Sequence, residues 1–215
     1  VIRLSGMNLI VNDYDHPLII KVASIPQIRI QVYFIDNEEY FKKKFLFKDA
    51  SGKYFKDNDE RSMFFCRGVL ETVKKLGWMP DIVHCHGWMT ALMPVYLKSV
   101  YSNDPHFSGA KVIYSIYNRD EKIKFSKNLE EKLEFDNIPV SDLGIKGSIG
   151  VNKLHEIGIQ WSDAVGFCDY EIDDVLKELV KSLRKPLLEH QQEEKTIEAH
   201  QDFYDKVLSE NGVLA

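Results

Sequence analysis

Apolar residues along this chain follow two different periods, and the order of the two predicts the architecture. Residues 18–22 and 28–35 are rich in β-branched side chains, and the break at 24–27, which contains Pro26, predicts two strands joined as a hairpin. From residue 57 to residue 183, stretches with a helical period alternate with short apolar runs. This alternation is typical of a mainly parallel sheet with helices packed on it.

The alternating part predicts individual elements. A helix is expected over 57–77, because capping side chains at 57–59 precede it, an apolar stripe runs through it and Gly77 follows it. Further elements are predicted as strands at 81–84, 111–116 and 164–167 and as helices near 92–99, 126–135, 150–160, 170–183 and 189–208.

The predicted fold class is therefore α/β, a Rossmann-like and mainly parallel sheet with helices on both faces. We expect residues 1–185 to form this domain. Residues 186–215 are expected to form a C-terminal helical extension, because Pro186 separates the last two predicted helices.

Composition excludes several classes of protein. The 215 residues are 44% hydrophobic and 28% charged, which is ordinary for a globular chain and unlike a disordered or collagen-like one. The net charge of -5 argues against a non-specific nucleic-acid binder, which needs a basic face. No apolar run approaches the length of a membrane span. We expect neither nucleic acid nor membrane as a partner.

Cysteine usage and the first residues bear on the compartment. Cys66, Cys85 and Cys168 are an odd number with no CxxC spacing, which favours reduced thiols over a disulfide framework or a zinc knuckle. Charged residues within the first twenty positions argue against a signal peptide, so a cytoplasmic protein is expected. The chain opens with Val1, and we expect the natural chain to begin further upstream.

Two segments occupy the position where ligands bind in parallel α/β sheets, just past the carboxyl ends of strands. They are residues 84–90 and residues 117–120. His84 and His86 leave one strand on the same face, so they are candidate metal ligands. No third ligand or carboxylate accompanies them, which favours packed or cleft-lining histidines instead.

Other patterns favour structural explanations. The chain contains no G-x-G-x-x-G, Walker, H-E-x-x-H or G-x-S-x-G motif. The lysines at 42–44 are better explained as a solvated loop than as a phosphate site, and the histidines and glutamates at 189–200 as an exposed helix than as a metal site. The glycines at 144, 147 and 150 fit turns better than a phosphate cradle.

One longer segment resembles a known family. Residues 80–97, PDIVHCHGWMTALMPVYL, resemble the segment P-D-[IV]-[IV]-H-x-H-[DN]-W-[HQ]-[TA]-[GA]-L-x-P-x-Y-L of bacterial glycogen synthases and plant starch synthases. Other stretches agree with family motifs in the same order: Phe34-Ile35-Asp36 with Tyr40-Phe41, Asp57-Asn58 with Arg61, Val112 to Asn118, and Asn152 with Gly158-Ile159 and Asp163. The resemblance covers about residues 30–176.

The resemblance implies a glycosyltransferase of the GT-B fold, in which two Rossmann-like domains face each other across a cleft. In that family the N-terminal domain holds the growing α-1,4-glucan and the C-terminal domain holds ADP-glucose. This chain resembles the N-terminal, acceptor-side domain. The expected partners are therefore an α-glucan or a synthase subunit.

The departures from the family pattern fall in the expected cleft. Gly87 stands where the family has an aspartate, Met89 where it has histidine or glutamine, and Tyr117 where it has the histidine of a His-Asn pair, with Asn118 retained. The family's Lys-x-Gly-Gly-Leu loop has no counterpart in this sequence. The resemblance implies these substrate-binding residues: His86, Gly87, Trp88, Met89, Tyr117 and Asn118. No catalytic residue, cofactor or metal ligand is predicted.

Three functions fit these features. The first is a domain that does not catalyse transfer alone and that binds α-glucan or regulates a synthase, because each lost polar group in such a cleft is worth about 2–4 kcal/mol of barrier. The second is the acceptor-side subunit of an active ADP-glucose-dependent α-1,4-glucosyltransferase whose donor domain is another chain. The third is an interaction scaffold without carbohydrate binding.

Overall fold

A computed structural model describes residues 2–118 and 122–209 of the chain. Within them, two sheets are present, one antiparallel and one parallel. Arg119 and Asp120, which belong to the second predicted ligand segment, lie outside the described residues.

The antiparallel sheet is formed by the first part of the chain. Its strands are β1 (Ile2–Val11), β2 (Tyr14–Ile25) and β3 (Ile30–Asp36), in the order β1-β2-β3. The predicted hairpin is confirmed as β2 and β3, which are joined by a 3₁₀ turn that begins at Pro26. Leu18 and Ile20 of β2 are fully buried. Strand β1 was not predicted.

The parallel sheet carries the carboxyl-end edge where a ligand site is expected. It comprises β4 (Ile82–His86), β5 (Lys111–Ile116), β6 (Ala164–Phe167) and β7 (Leu187–Leu188), in that order. The predicted strands at 111–116 and 164–167 are confirmed. β4 runs as far as His86, and β7 was not predicted.

Seven helices connect and cover the strands in the described part of the chain. They are α1 (Glu38–Phe41), α2 (Asn58–Lys75), α3 (Met93–Lys98), α4 (Leu129–Phe135), α5 (Val151–Trp161), α6 (Asp174–Ser182) and α7 (Thr196–Ser209). The helix predicted from residue 189 begins only at Thr196. The prediction was wrong there because Leu187 and Leu188 pair with β6, and His190 then donates a hydrogen bond to the Cys168 carbonyl.

The start of α2 also differs from its prediction. The Asp57 side chain does not cap the helix, and its carboxylate lies 2.8 Å from Lys43 Nζ. The Asn58 amide donates to the Phe47 carbonyl at 3.1 Å. The loop after α1 is therefore fastened to α2, and Lys43 is half-buried, whereas Lys42 and Lys44 are exposed as predicted.

Helices cover both faces of the parallel sheet, which confirms the predicted α/β class. Successive residues of β5 point to opposite faces, so Tyr114 packs into the main core while Ile113 packs with Phe203 and Val207 of α7. On the Tyr114 side, α5 approaches closely through Gly158, where an added Cβ atom would lie 2.6 Å from the Tyr114 ring. None of the helices among the described residues is long and apolar enough to cross a membrane.

Candidate functional site

The turn that follows β4 has a backbone conformation that requires glycine. Gly87 has φ 73° and ψ 175°, a region that L-residues with a side chain rarely occupy. Its N–H donates to the Ser115 carbonyl at 2.9 Å, and its carbonyl accepts from Thr90 Oγ1 at 3.0 Å. The turn therefore ties the carboxyl end of β4 to β5 and starts the 3₁₀ turn Trp88–Thr90.

A cleft of about 270 Å³ opens beyond the carboxyl ends of β4 and β5, and we call it the first cleft. Five of the six predicted substrate-binding residues line it, namely His86, Gly87, Trp88, Met89 and Tyr117. The sixth, Asn118, is exposed and is not part of this lining; its backbone N–H donates to Asp169 Oδ2 at 2.6 Å.

Trp88 forms a packed wall of the first cleft. Only 5% of it is exposed, and its ring lies between Phe47, with centroids 4.7 Å apart, and Phe125, at 5.5 Å. Its buried Nε1–H has no hydrogen-bond partner within the described residues. The Trp88 ring therefore packs inside the protein, whereas Phe47 and Tyr117 are the half-exposed aromatic residues in this lining.

His86 and Tyr117 form a hydrogen-bonded pair across the ends of β4 and β5. Nδ1 of His86 lies 3.0 Å from the Tyr117 hydroxyl. Desolvation, with a smaller contribution from His200, lowers the pKa of His86, so its ring is neutral at neutral pH. The pair offers neutral hydrogen-bonding groups rather than a charge to whatever occupies the cleft.

His84 is held inside the protein by two hydroxyls. Nδ1 lies 2.7 Å from the Tyr204 hydroxyl and Nε2 lies 2.7 Å from Ser115 Oγ, while the ring stacks on His86 at 4.1 Å. Burial, followed by the neighbouring histidines, lowers the pKa of His84 to about 3. Both ring nitrogens are used, so His84 is a positioning residue between β5 and α7.

No motif pointed to Phe47 or His155, which complete the lining of the first cleft. His155 is buried, and its Nδ1 lies 2.7 Å from the Tyr114 hydroxyl. Burial lowers its pKa to about 4. Across residues 2–118 and 122–209, no group of three or more His, Cys, Asp and Glu side chains converges as a metal site would.

A second cleft of about 280 Å³ adjoins the first and shares His86 and Tyr117 with it. It lies past the carboxyl ends of β5, β6 and β7. Its far wall comes from the 188–200 segment, including His190 and His200, for which the sequence favoured an exposed helix.

Comparison with known proteins shows which family the chain belongs to. Residues 2–182 match the sequence profile of the starch synthase catalytic domain. The chain belongs to the starch synthase catalytic domain family. This confirms the resemblance found at residues 80–97, and the chain is a glycogen/starch synthase-like glycosyltransferase domain.

Curated relatives of this starch synthase-family chain are glycogen synthases. That of Chlorobium limicola is 44% identical over 119 residues, which cover 55% of this chain and 24% of the relative. That of Chlorobaculum tepidum is 43% identical over 119 residues, with the same coverage of 55% and 24%. The chain thus matches about a quarter of the length of these relatives.

A solved structure shows the same fold. The catalytic domain of starch synthase IV from Arabidopsis thaliana, solved with ADP and acarbose, superimposes with a TM-score of 0.68 at 16% identity. The match covers 87% of this chain and 39% of the plant chain. The predicted GT-B type α/β fold is confirmed, whereas the predicted domain boundary at residue 185 stays a prediction.

Proposed function

We propose that this domain binds an α-glucan in the first cleft and does not transfer glucose on its own. One observation carries the proposal. The fold gathers His86, Met89 and Tyr117 into one cleft at the carboxyl ends of two neighbouring parallel strands, where α/β proteins bind their ligands. The resemblance in sequence implies a substrate-binding role for the same three residues.

The chemistry of the first cleft suits a sugar. A glucan presents apolar ring faces and hydroxyl edges, and it carries no charge. Phe47 and Met89 supply apolar surface, and the His86–Tyr117 pair supplies neutral donors and acceptors. A cleft with mostly apolar walls and a few polar groups is the common form of a small-ligand site.

The same lining argues against glucose transfer by this chain alone. None of the described residues that line the first cleft is a carboxylate, a lysine or an arginine. Gly87 and Met89 stand where the family pattern has polar side chains, and each such group is worth about 2–4 kcal/mol of transition-state stabilisation. Glucan binding, or regulation of a synthase through it, is therefore the proposed role.

Binding is tested by titrating the full chain with maltoheptaose in a calorimeter. Replacing Tyr117 by Leu removes a ring and a hydroxyl from the cleft, and we expect the affinity to fall about tenfold, which corresponds to ~1.4 kcal/mol. The matched control is Tyr14→Leu, because Tyr14 is 69% exposed on β2 and lines neither cleft. No heat of binding at millimolar sugar, or equal losses in both variants, would contradict the proposal and favour an interaction scaffold.

The absence of transfer is tested separately. The purified chain is incubated with ADP-glucose and maltoheptaose, and ADP release and chain elongation are followed. We expect neither above the buffer control. Elongation by the chain alone contradicts the proposal, and elongation that appears only when a second, donor-binding chain is added identifies an acceptor-side subunit of a split enzyme.

A further inference from the structure

Half of the residues that line the second cleft lie beyond the part of the chain that the family profile covers. The profile match ends at residue 182, whereas the far wall of the cleft lies at residues 188–200. This wall is anchored at both ends. Leu188 pairs with Gly166 of β6, and α7 packs through Phe203 and Val207 onto the sheet.

Further contacts fix the wall in place. The Tyr204 hydroxyl of α7 lies 2.7 Å from His84 Nδ1. His190 Nδ1 donates to the Cys168 carbonyl at 2.8 Å, just past β6. The segment therefore closes a defined cleft of about 280 Å³ against the strand ends.

Hydrogen bonding sets the proton position on two imidazoles of this wall. Nδ1 of His190 lies 2.8 Å from the Cys168 carbonyl, and Nδ1 of His200 lies 2.7 Å from the Thr196 carbonyl. A carbonyl oxygen only accepts, so each neutral ring carries its proton on Nδ1. Nε2 of both rings is left as an acceptor, and both side chains line the cleft.

The charge and the hydrogen-bonding groups of the second cleft indicate which class of ligand it can bind. Glu189 is its one charged side chain among the described residues, and it contains no lysine or arginine, so the cleft is poorly suited to an anion. Its imidazole, carboxylate and amide acceptors match a ligand with several hydroxyl donors. Phe167 and Tyr117 add apolar surface, as sugar sites commonly have.

We propose that the second cleft, walled by residues 188–200, is a separate carbohydrate subsite that takes the terminal one or two glucose units of an uncharged oligosaccharide. The choice of glucose rests on the proposed function, because the shared residues His86 and Tyr117 place the two clefts side by side on one glucan path. Recognition comes from Nε2 of His190 and His200, which accept hydrogen bonds from sugar hydroxyls.

The test is an NMR titration of the isotope-labelled full chain with maltotriose at pH 8. Long-range proton–nitrogen spectra of the histidine rings are expected to show the Nδ1–H tautomer for His190 and His200, and their Nε2 resonances are expected to move on titration. The Met89 methyl group reports separately on the first cleft, because it lines that cleft alone.

Two variants sharpen the test. His200→Ala removes one acceptor, and we expect the sugar affinity reported by His190 to fall at least tenfold while the Met89 response is retained. Gln201→Ala is the matched control, because Gln201 is the exposed neighbour of His200 on α7 and does not line the second cleft. Thermal unfolding of both variants checks that α7 stays folded.

The outcomes separate the two proposals. Movement at Met89 without movement at His190 and His200 overturns the subsite and leaves the proposed function intact. Movement at neither place overturns both. The Nε2–H tautomer in either ring, or a response of this cleft to inorganic phosphate at lower concentration than to maltotriose, also overturns the subsite.

Discussion

The two clefts share a wall but differ in how the chain assembles them. The first takes most of its lining from one short run, residues 86–89, together with Tyr117 at the end of the next strand. The second gathers side chains from β5, from the end of β6 and from the segment after β7, which are separated by tens of residues along the chain. The first lies within the family match, and the second depends on residues beyond it.

The two clefts differ in how far they follow the family pattern. The first cleft contains Gly87 and Met89 at positions where the family pattern that this chain resembles has polar side chains. The second cleft collects polar side chains on a wall that is packed against the same sheet.

The largest loss of stability is expected from a change in the packing of α5 on β5, because both clefts lie at the end of β5. Gly158→Ala places a Cβ atom 2.6 Å from the ring of Tyr114, which is fully buried in the central strand β5. Overpacking of this kind costs about 3 kcal/mol of unfolding free energy. Urea unfolding measures it, with Gly109→Ala as the control, because nothing lies within 4 Å of a Cβ atom there. Equal stability of the two variants would contradict the close packing of α5 on β5.

The second effect is a loss of stability in acid. Burial lowers the pKa of His155 to about 4, so the unfolded chain binds a proton near pH 6.5 that the folded chain does not. Above pH 6.5 His155 therefore does not lower the free energy of unfolding. As the pH falls from 6.5 towards 4 the free energy of unfolding decreases, and at pH 5 the loss from this residue alone is ~2 kcal/mol.

Burial also lowers the pKa of His84, so this histidine adds to the loss of stability in acid. Urea unfolding at pH 8, 6.5 and 5 is the measurement. His155→Gln is expected to flatten the profile. A profile in His155→Gln as steep as that of the natural chain would refute the contribution of this histidine.

The third effect is a loss of stability when a side chain is added at Gly87, the position where the family pattern has an aspartate. Gly87→Ala must adopt φ 73° and ψ 175°, which costs about 1–2 kcal/mol for a residue with a Cβ atom. The same strain acts on Gly87→Asp, so we expect the family's aspartate to lower stability here. Thermal unfolding against Gly109→Ala measures the cost, and an unchanged midpoint would show that the turn relaxes freely.

The smallest effect concerns the second cleft alone. Tyr204→Phe removes the hydroxyl that holds α7 to His84 and is expected to cost about 1 kcal/mol. Hydrogen exchange should accelerate in α7 while the residues that line the first cleft keep their protection. Faster exchange in both regions would show that the two clefts open together.

The strands could be predicted from the sequence where a mostly apolar run is bounded clearly at both ends. Strands β5 and β6 are short, mostly apolar runs with clear ends, and their limits were predicted correctly. Strand β1 was missed because Arg3, Gly6 and Asn8 interrupt its apolar residues. Strand β7 is only two residues long, and its pairing with β6 overrides the helical pattern that follows.

The candidate site could be predicted only as far as one motif reached. Residues 86–89 are contiguous, so their place at a strand end follows from the sequence. Phe47 and His155 reach the first cleft from a loop and from α5, and no local pattern marks such distant neighbours. The sequence predicts a solvated position for His200. In the structure α7 packs on the sheet, and the His200 ring lies 6.1 Å from the ring of His84 in β4.

Glucan binding in the first cleft can be observed in a crystal structure of the full chain with maltoheptaose. We expect sugar density in contact with Met89 and Tyr117 beyond the ends of β4 and β5. Crystals that show no sugar at millimolar concentration, or sugar only at other surfaces, would contradict it.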